Sequence, residues 1–284
     1  MIDLGELLPD SQETQPRELI VSLFGLYARG EGNWLAVSAL VRLMAEIGVD
    51  GPAVRSSVSR LKRRNILHSV RRGGAAGYEL SLSAMAALSE GDARIFHRRR
   101  AELDDGWLML VFSVPESERD KRHALRSSLT RLGFGTVSPG TWIAPGNMTN
   151  EVRIVLERKG FTNYVELFEG VHVGVRPIRQ AVESWWDFDE LSQLYADFQR
   201  RYRPALDAAD ALAAEQQKAF ATYVPMLTEW RRLPYLDPGL PVELLPDGWN
   251  GLAAEQLFAD LDHALAGPAG RHAREIMHGT GPAA

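Results

Sequence analysis

GPAVRSSVSRLKRRNILHSVRRGGAAGY, residues 51–78, carries Arg55, Arg60, Lys62, Arg63, Arg64, Arg71 and Arg72 and not one acid. Ordinary solvated helices mix signs, because opposite charges at i, i+4 support them. A sign-pure stretch gives up that support and points to a polyanionic partner. Asp50 suits an N-cap and Pro52 a first turn, so the spacing predicts a helix reaching about Arg64. At about 100° per residue, Val54, Val58 and Leu61 fall within about 60° of one another and form its buried stripe. The opposite side carries Ser56, Ser59, Arg60 and Arg63, flanked by Arg55 and Lys62. Short serines beside arginine forks suit a helix lying in a major groove, where Arg bonds guanine bidentately and Ser meets bases or phosphates. Further on, Ser69–Arg71 and Gly77–Leu80 read as two short strands joined by a tip, Arg72 to Ala76, whose glycines permit the reversal. Arg71 and Arg72 would then meet phosphates or a minor groove.

Outward from this stretch, Leu19, Ile20, Leu23, Phe24, Leu26 and Tyr27 recur at helical spacing between Pro16 and Gly30. A second helix is expected from about Ala36 to Ile47 and a closing one from about Ser83 to Arg100. Three helices, a basic hairpin and a closing helix describe a winged helix-turn-helix domain over residues 16–100. Residues 1–15 read as a flexible acidic tail.

From 101 to 178 the pattern is β-α-β-α-β with room for an extra strand. Trp107–Val114, Thr136–Ala144 and Val165–Val175 read as strands, the last broken near Gly170; Ser117–Leu132 and Asn150–Lys159 read as helices. That order suits a small ferredoxin-like α/β sandwich. Residues 179–284 read as mainly helical. Leu191, Leu194, Tyr195, Phe198 and Tyr202 form one amphipathic stripe, and a second helix is expected over Asp207–Arg232. A proline-rich connector, LPYLDPGLPVELLPDGWNG, leads to a last helix expected to fray from about Gly267. The fold class is therefore α+β.

Charge follows this division. Residues 15–100 hold 14 Lys+Arg against 7 Asp+Glu, whereas 101–284 hold 18 against 26, so a basic segment sits on an acidic body. The chain has no cysteine, which excludes disulfides, thiolate metal sites and a cysteine nucleophile and fits a cytoplasmic location. No apolar run approaches the roughly 20 residues of a membrane helix, and the acidic N-terminus lacks the basic region of a signal peptide.

No active-site constellation emerges. Ser59 to Lys62 matches S-x-x-K, but no K-T-G or S-D-N follows. Gly133-Phe134-Gly135 lacks the third glycine of a dinucleotide fingerprint, and there is no P-loop, H-E-x-x-H or G-x-S-x-G. Asp187, Asp189, Glu190, Asp207 and Asp210 sit at expected helix starts, where capping explains them. His272 and His278 fall in the expected tail and are not read as metal ligands. No resident cofactor or metal is expected, and the chain is read as a regulator, not an enzyme.

The sequence resembles the PaaX family of bacterial transcriptional repressors. The segments that carry the resemblance are PRELIVSLFGLYA with VRSSVSRLKRRNIL and the glycine-rich hairpin, then WLMLVFSVPESERDKRHALRSSLTRLGFGTVSPGTWIAP, then RRLPYLDPGLPVELLPDGWNG. The resemblance implies a homodimer on double-stranded operator DNA, repressing an aromatic-acid degradation operon and released by an aryl-coenzyme A thioester such as phenylacetyl-coenzyme A. It also implies that the middle domain is similar to small ferredoxin-like nucleases, which use an Asp near the end of the first strand for metal. Here Ser113 stands in that stretch and cannot serve as a hard-metal ligand in its place. A metal-dependent nuclease and an effector-independent DNA-binding protein are the rival readings. An acyl-coenzyme A effector needs cations for its phosphates and an aromatic slot for its acyl group. The candidates are Trp185, Trp186, Arg200, Arg201, Arg203, Trp230, Arg231 and Arg232.

Overall fold

The computed structural model describes residues 15–174 and 176–279. The expected N-terminal tail, apart from Gln15, lies outside the described residues, as does Val175 at the end of an expected strand. The fold is α+β, with two small antiparallel sheets among many helices.

The first helix, α1 (Pro16–Leu23), widens into a π-helical turn over Phe24–Ala28 and tightens to a 3₁₀ turn at Arg29–Glu31, so the expected helix to Gly30 is present but not regular. A two-residue strand, β1 (Leu35–Ala36), leads into α2 (Val37–Glu46). Then comes α3 (Gly51–Arg63). Asp50 caps it by accepting from the Ala53 N–H at 2.8 Å, and Pro52 sits in its first turn. Asn65 takes a left-handed φ of 59° and ends it. Val54, Val58 and Leu61 are buried, as their spacing predicts.

Strands β2 (Leu67–Arg72) and β3 (Ala75–Leu80) pair from Leu67↔Leu80 to Arg72↔Ala75, and β1 joins the far side of β3. The expected five-residue tip contracts to Gly73-Gly74, with φ of 56° and 83°. A two-residue loop with both φ positive matches the right-handed twist of its strands, and glycine is what allows it. Gly77 is fixed for another reason. A Cβ there would stand 2.4 Å from the Trp34 ring and 2.6 Å from the Leu35 carbonyl oxygen. Gly77→Ala is therefore expected to destabilise the fold by about 1–3 kcal/mol through overpacking; a denaturation midpoint equal to wild type would contradict this. The closing helix, α4 (Leu82–Phe96), stops short of the expected Arg100.

A second sheet follows. Strand β4 (Trp107–Phe112) is central, paired with β6 (Thr141–Pro145) on one side and β7 (Val165–Gly170) on the other, and β5 (Gly135–Ser138) lies outside β6. The single strand expected over Thr136–Ala144 is a hairpin, because Pro139 and Gly140 reverse the chain. Leu108 and Leu110 face a core shared with Leu125 and Leu129 of α5 (Arg119–Arg131) and Val152 and Leu156 of α6 (Thr149–Lys159). Met109 and Val111 alternate to the opposite face. Strand β7 ends at Gly170 rather than running on, and Val171 and Val173 stay exposed.

Helices α7 (Ile178–Trp185) and α8 (Phe188–Asp207) come next. The long helix expected over Asp207–Arg232 is two, α9 (Ala209–Ala214) and α10 (Gln216–Trp230), interrupted at Glu215. The connector holds a short α11 (Leu233–Leu236) and buries Asp237. Finally α12 (Gly251–His278) corrects the expected fraying from Gly267. It continues through Pro268 because Leu261, Leu265, Ala269, Ala273 and Ile276 are all buried, and that burial outweighs the backbone hydrogen bond the proline forgoes.

Two compact units result, both discontinuous in sequence. One takes its described residues from the segment up to Ile95, from Ala196–Arg232 and from Leu252 onward; the other comprises Phe96–Tyr195 and Leu233–Gly251.

Candidate nucleic-acid interface

Helix α3 presents Arg55, Ser56, Ser59, Arg60, Lys62 and Arg63 to solvent while Val54, Ser57, Val58 and Leu61 turn inward. All six predicted contact residues of this helix thus share its exposed side. Among the described residues, Arg55, Arg60, Lys62 and Arg63 have no ion-pair partner. Arg64, which caps the helix, is exposed as well; its place in the acid-free run is the signal that adds it to this row. Unpaired guanidinium groups keep their donors available for phosphate oxygens or base edges.

The hairpin divides its two arginines between different tasks. Arg71 is exposed at the end of β2 and only reaches the Gly74 carbonyl beside the tip, at 3.4 Å. Arg72 is engaged: it donates to the Gly32 carbonyl at 2.8 Å and to Glu79 at 3.0 Å, and its guanidinium lies 5.9 Å from the Trp34 ring centroid. Trp34 in turn donates its indole N–H to the Val70 carbonyl. Sequence reasoning misses Trp34, since its role depends on a cross-strand approach. Arg72 acts as a strut that fixes the hairpin to the turn before β1. Arg72→Ala is expected to raise hydrogen exchange at the hairpin amides; unchanged exchange there would count against the strut.

The eight effector candidates do not come together within either unit. Trp185 and Trp186 belong to the unit containing the four-stranded sheet, and the other six belong to the first unit. Trp185 and Trp186 are half-buried and form an aromatic group with Trp107, at centroid distances of 5.5 Å and 6.2 Å. The open groove beside them, about 620 Å³, is lined by Glu183, Asp187 and Asp189 and by no basic residue, which opposes phosphate binding there. Trp230 is buried and stacks on Phe258 at 4.6 Å. Arg231 is buried and donates to the Glu18 carbonyl. Arg201 pairs with Glu229 at 2.8 Å and Arg200 with Asp197, whereas Arg203 is exposed and Arg232 partly so.

Ser113 follows β4, where its N–H donates to the Tyr164 carbonyl. Among the described residues, no group of three His, Asp or Glu could hold a metal ion.

Asp237 forms an ion cluster that sequence reasoning misses. Its carboxylate accepts from Arg98 and Arg100, each at 3.1 Å, from the Tyr195 hydroxyl at 2.8 Å and from the Gly239 N–H at 2.6 Å. Burial alone would raise its pKa, but the two guanidinium groups and the two neutral donors outweigh that and hold the carboxyl at about 2. The cluster takes Arg98 and Arg100 out of the expected closing helix. No local sequence pattern joins two arginines to an aspartate some 140 positions away.

Comparison with known proteins places this architecture. Residues 15–84 match a model described as a PaaX-like protein, residues 100–182 the PaaX protein central Cas2-like domain, and residues 186–275 the PaaX-like protein C-terminal domain. The chain belongs to the PaaX family. It is similar to the transcriptional repressor PaaX of Escherichia coli, at 28% identity over 257 residues, covering 87% of this chain and 79% of that protein. Its fold is also that of the uncharacterized protein Rv0674 from Mycobacterium tuberculosis, with a TM-score of 0.59 and 22% identity over 92% of this chain and 99% of that one. The exposed, unpaired cations of α3 and the β2–β3 hairpin both fall within the first of the three PaaX segments. No helix among the described residues is long and apolar enough to cross a membrane.

Proposed function

We propose that the chain is a sequence-specific DNA-binding transcriptional repressor. The observation that carries this is the row of exposed cations on α3, unpaired among the described residues, in a member of the family that includes a repressor at 28% identity. In this reading residues 16–100 are a winged helix-turn-helix domain, with α3 as recognition helix and the β2–β3 hairpin as wing. Arg55, Ser56, Ser59, Arg60, Lys62 and Arg63 read the major groove, Arg71 meets a phosphate, and Arg72 holds the wing in place. Residues 101–178 form a ferredoxin-like domain serving dimerisation or signal transmission, and 179–284 a helical domain. The protein acts as a cytoplasmic homodimer, because one recognition helix reads few bases and two-fold proteins meet two-fold operators.

The proposed effector is an aryl-coenzyme A thioester, and the regulated genes are those of aromatic-acid catabolism. Trp185 and Trp186 remain its aromatic candidates and Arg203 and Arg232 its cationic ones, each to be tested singly; Trp230, Arg231, Arg201 and Arg200 already have structural partners. The test is footprinting of genomic fragments selected by the purified protein, with its mass measured in solution and on DNA. The expected result is protection of a two-fold site by a dimer, lifted by phenylacetyl-coenzyme A. Protection without sequence preference, or by a strict monomer, would overturn it.

A further inference from the structure

Helix α5 carries Arg119, Lys121, Arg122, Arg126 and Arg131 against a single acid, Asp120, in a part of the chain where acids outnumber cations. Leu125, Ser128 and Leu129 turn inward. Arg119, Arg122, His123, Arg126 and Thr130 recur at i, i+3, i+4, i+7 and i+11, so at about 100° per residue they share one outward side.

This arrangement does not serve the helix. Like charges three and four positions apart repel one another and weaken it. Arg119, Lys121 and Arg122 also stand in its first turn, where the macrodipole favours acids. The preceding 3₁₀ turn, Glu116–Glu118, offsets two of these cations. Lys121 donates to Glu118 at 2.8 Å and to the Tyr164 hydroxyl at 2.6 Å, and Arg122 reaches Glu116 at 3.1 Å and the Val114 carbonyl at 2.6 Å. Arg119 and Arg126 are exposed and have no ion-pair partner among the described residues. Arg126 is held without being neutralised: its guanidinium lies 5.9 Å from the ring centroid of Trp142, which is buried on β6. A cation–π contact of this kind positions the group and leaves its N–H donors for an anion.

Guanidinium forks match phosphate oxygens bidentately. His123 and the Thr130 hydroxyl stand alongside as further hydrogen-bonding groups, both exposed. The row runs along an open helix face: α5 contributes no residue to the groove beside Trp185 and Trp186 or to a smaller cavity beside the start of β4. A small anion finds no enclosure on such a face, whereas an extended polyanion meets several cations at once. We propose that the Arg119–Arg126 side of α5 binds the phosphate backbone of duplex DNA, independently of sequence. The inference rests on reading the chain as a DNA-binding protein and adds a phosphate contact in the unit holding the four-stranded sheet.

The experiment titrates the full chain against DNA from upstream of its own gene and against a shuffled duplex, over a series of salt concentrations. Arg119→Gln combined with Arg126→Gln is expected to weaken binding to both duplexes alike, by roughly tenfold or more at the lowest salt. It is also expected to flatten the slope of log affinity against log salt by about two, one for each phosphate contact removed. The ratio of affinities for the two duplexes should stay at the wild-type value, unlike that of a variant stripped of base contacts. Arg119→Lys combined with Arg126→Lys keeps both charges and is expected to restore the slope. Wild type that binds neither duplex would overturn the DNA reading and this inference together. Wild-type binding that the glutamine pair leaves unchanged in affinity and slope would overturn this inference alone. So would a loss confined to the own-gene duplex, or a fall in mass from dimer to monomer, which would assign the row to base contacts or to a second copy of the chain.

Discussion

Arg60→Ala combined with Arg63→Ala is expected to weaken operator binding by roughly 30-fold or more, since each lost guanine contact costs about 1–3 kcal/mol. Both side chains are exposed on α3 and unpaired among the described residues, so their removal leaves nothing buried without a partner. Surface changes of this kind shift stability by no more than about 0.5 kcal/mol. The loss should therefore appear in binding and not in the melting curve. Specificity should relax at the contacted positions, whereas loss of a phosphate contact lowers affinity alike on all sequences and flattens the salt dependence. An unchanged affinity for the operator in the double variant would remove α3 as the reading helix.

Asp237→Ala is expected to destabilise the unit holding the four-stranded sheet by about 3–5 kcal/mol, the range for stripping one partner from a buried ion pair. The aspartate is fully buried, and Arg98 and Arg100 are nearly so, at 12% and 14% side-chain exposure. Without the carboxylate those guanidinium groups keep their desolvation and lose the charge that offsets it. A pH dependence follows from the same geometry. The folded carboxyl sits at about 2, below the 3.8 expected for it in isolation. Its folded pKa is depressed, so its stabilisation is complete above about pH 4 and disappears as pH falls toward 2. Wild type should lose stability steeply across that window, and Asp237→Ala should lose less there. Urea midpoints measured at neutral pH and across the acid range test both statements. A variant with the wild-type midpoint would show that the cluster is not a stabilising anchor.

What could be read in the sequence, and what could not, divides along physical lines. Helix α3 is legible because every determinant is local: Asp50 caps it, Pro52 opens it, the valine and leucine stripe sets its buried side, and the charges occupy what remains. The hairpin is legible from paired glycines. Elements decided by distant partners are not. The closing helix stops at Phe96 because Arg98 and Arg100 turn toward Asp237. The last helix continues past Pro268 because Ala269, Ala273 and Ile276 find neighbours to cover them, which a count of prolines and glycines cannot register. The same limit applies to the site. The α3 contacts share one face by helical geometry alone, and Arg72 keeps its place in the hairpin but takes a structural partner in Glu79. The effector candidates rest on residue type alone over nearly 50 positions, and residue type does not register that Trp230 and Arg231 enter packing or that the groove beside Trp185 and Trp186 is acidic. Trp107, whose apolar strand spacing marks it only as a strand residue, also lines a small cavity beside the start of β4.

The central claim is that α3 and the hairpin bind one DNA sequence in preference to others. The most direct measurement is a titration of the purified protein against DNA from upstream of its own gene and against a shuffled duplex of equal length and composition, at one stated salt concentration. The account predicts saturable binding to the first at concentrations at least 10³-fold lower than to the second, the lower bound typical of specific over non-specific recognition. Equal affinity for own-gene and shuffled DNA, with genomic selection also yielding no preferred site, would contradict it.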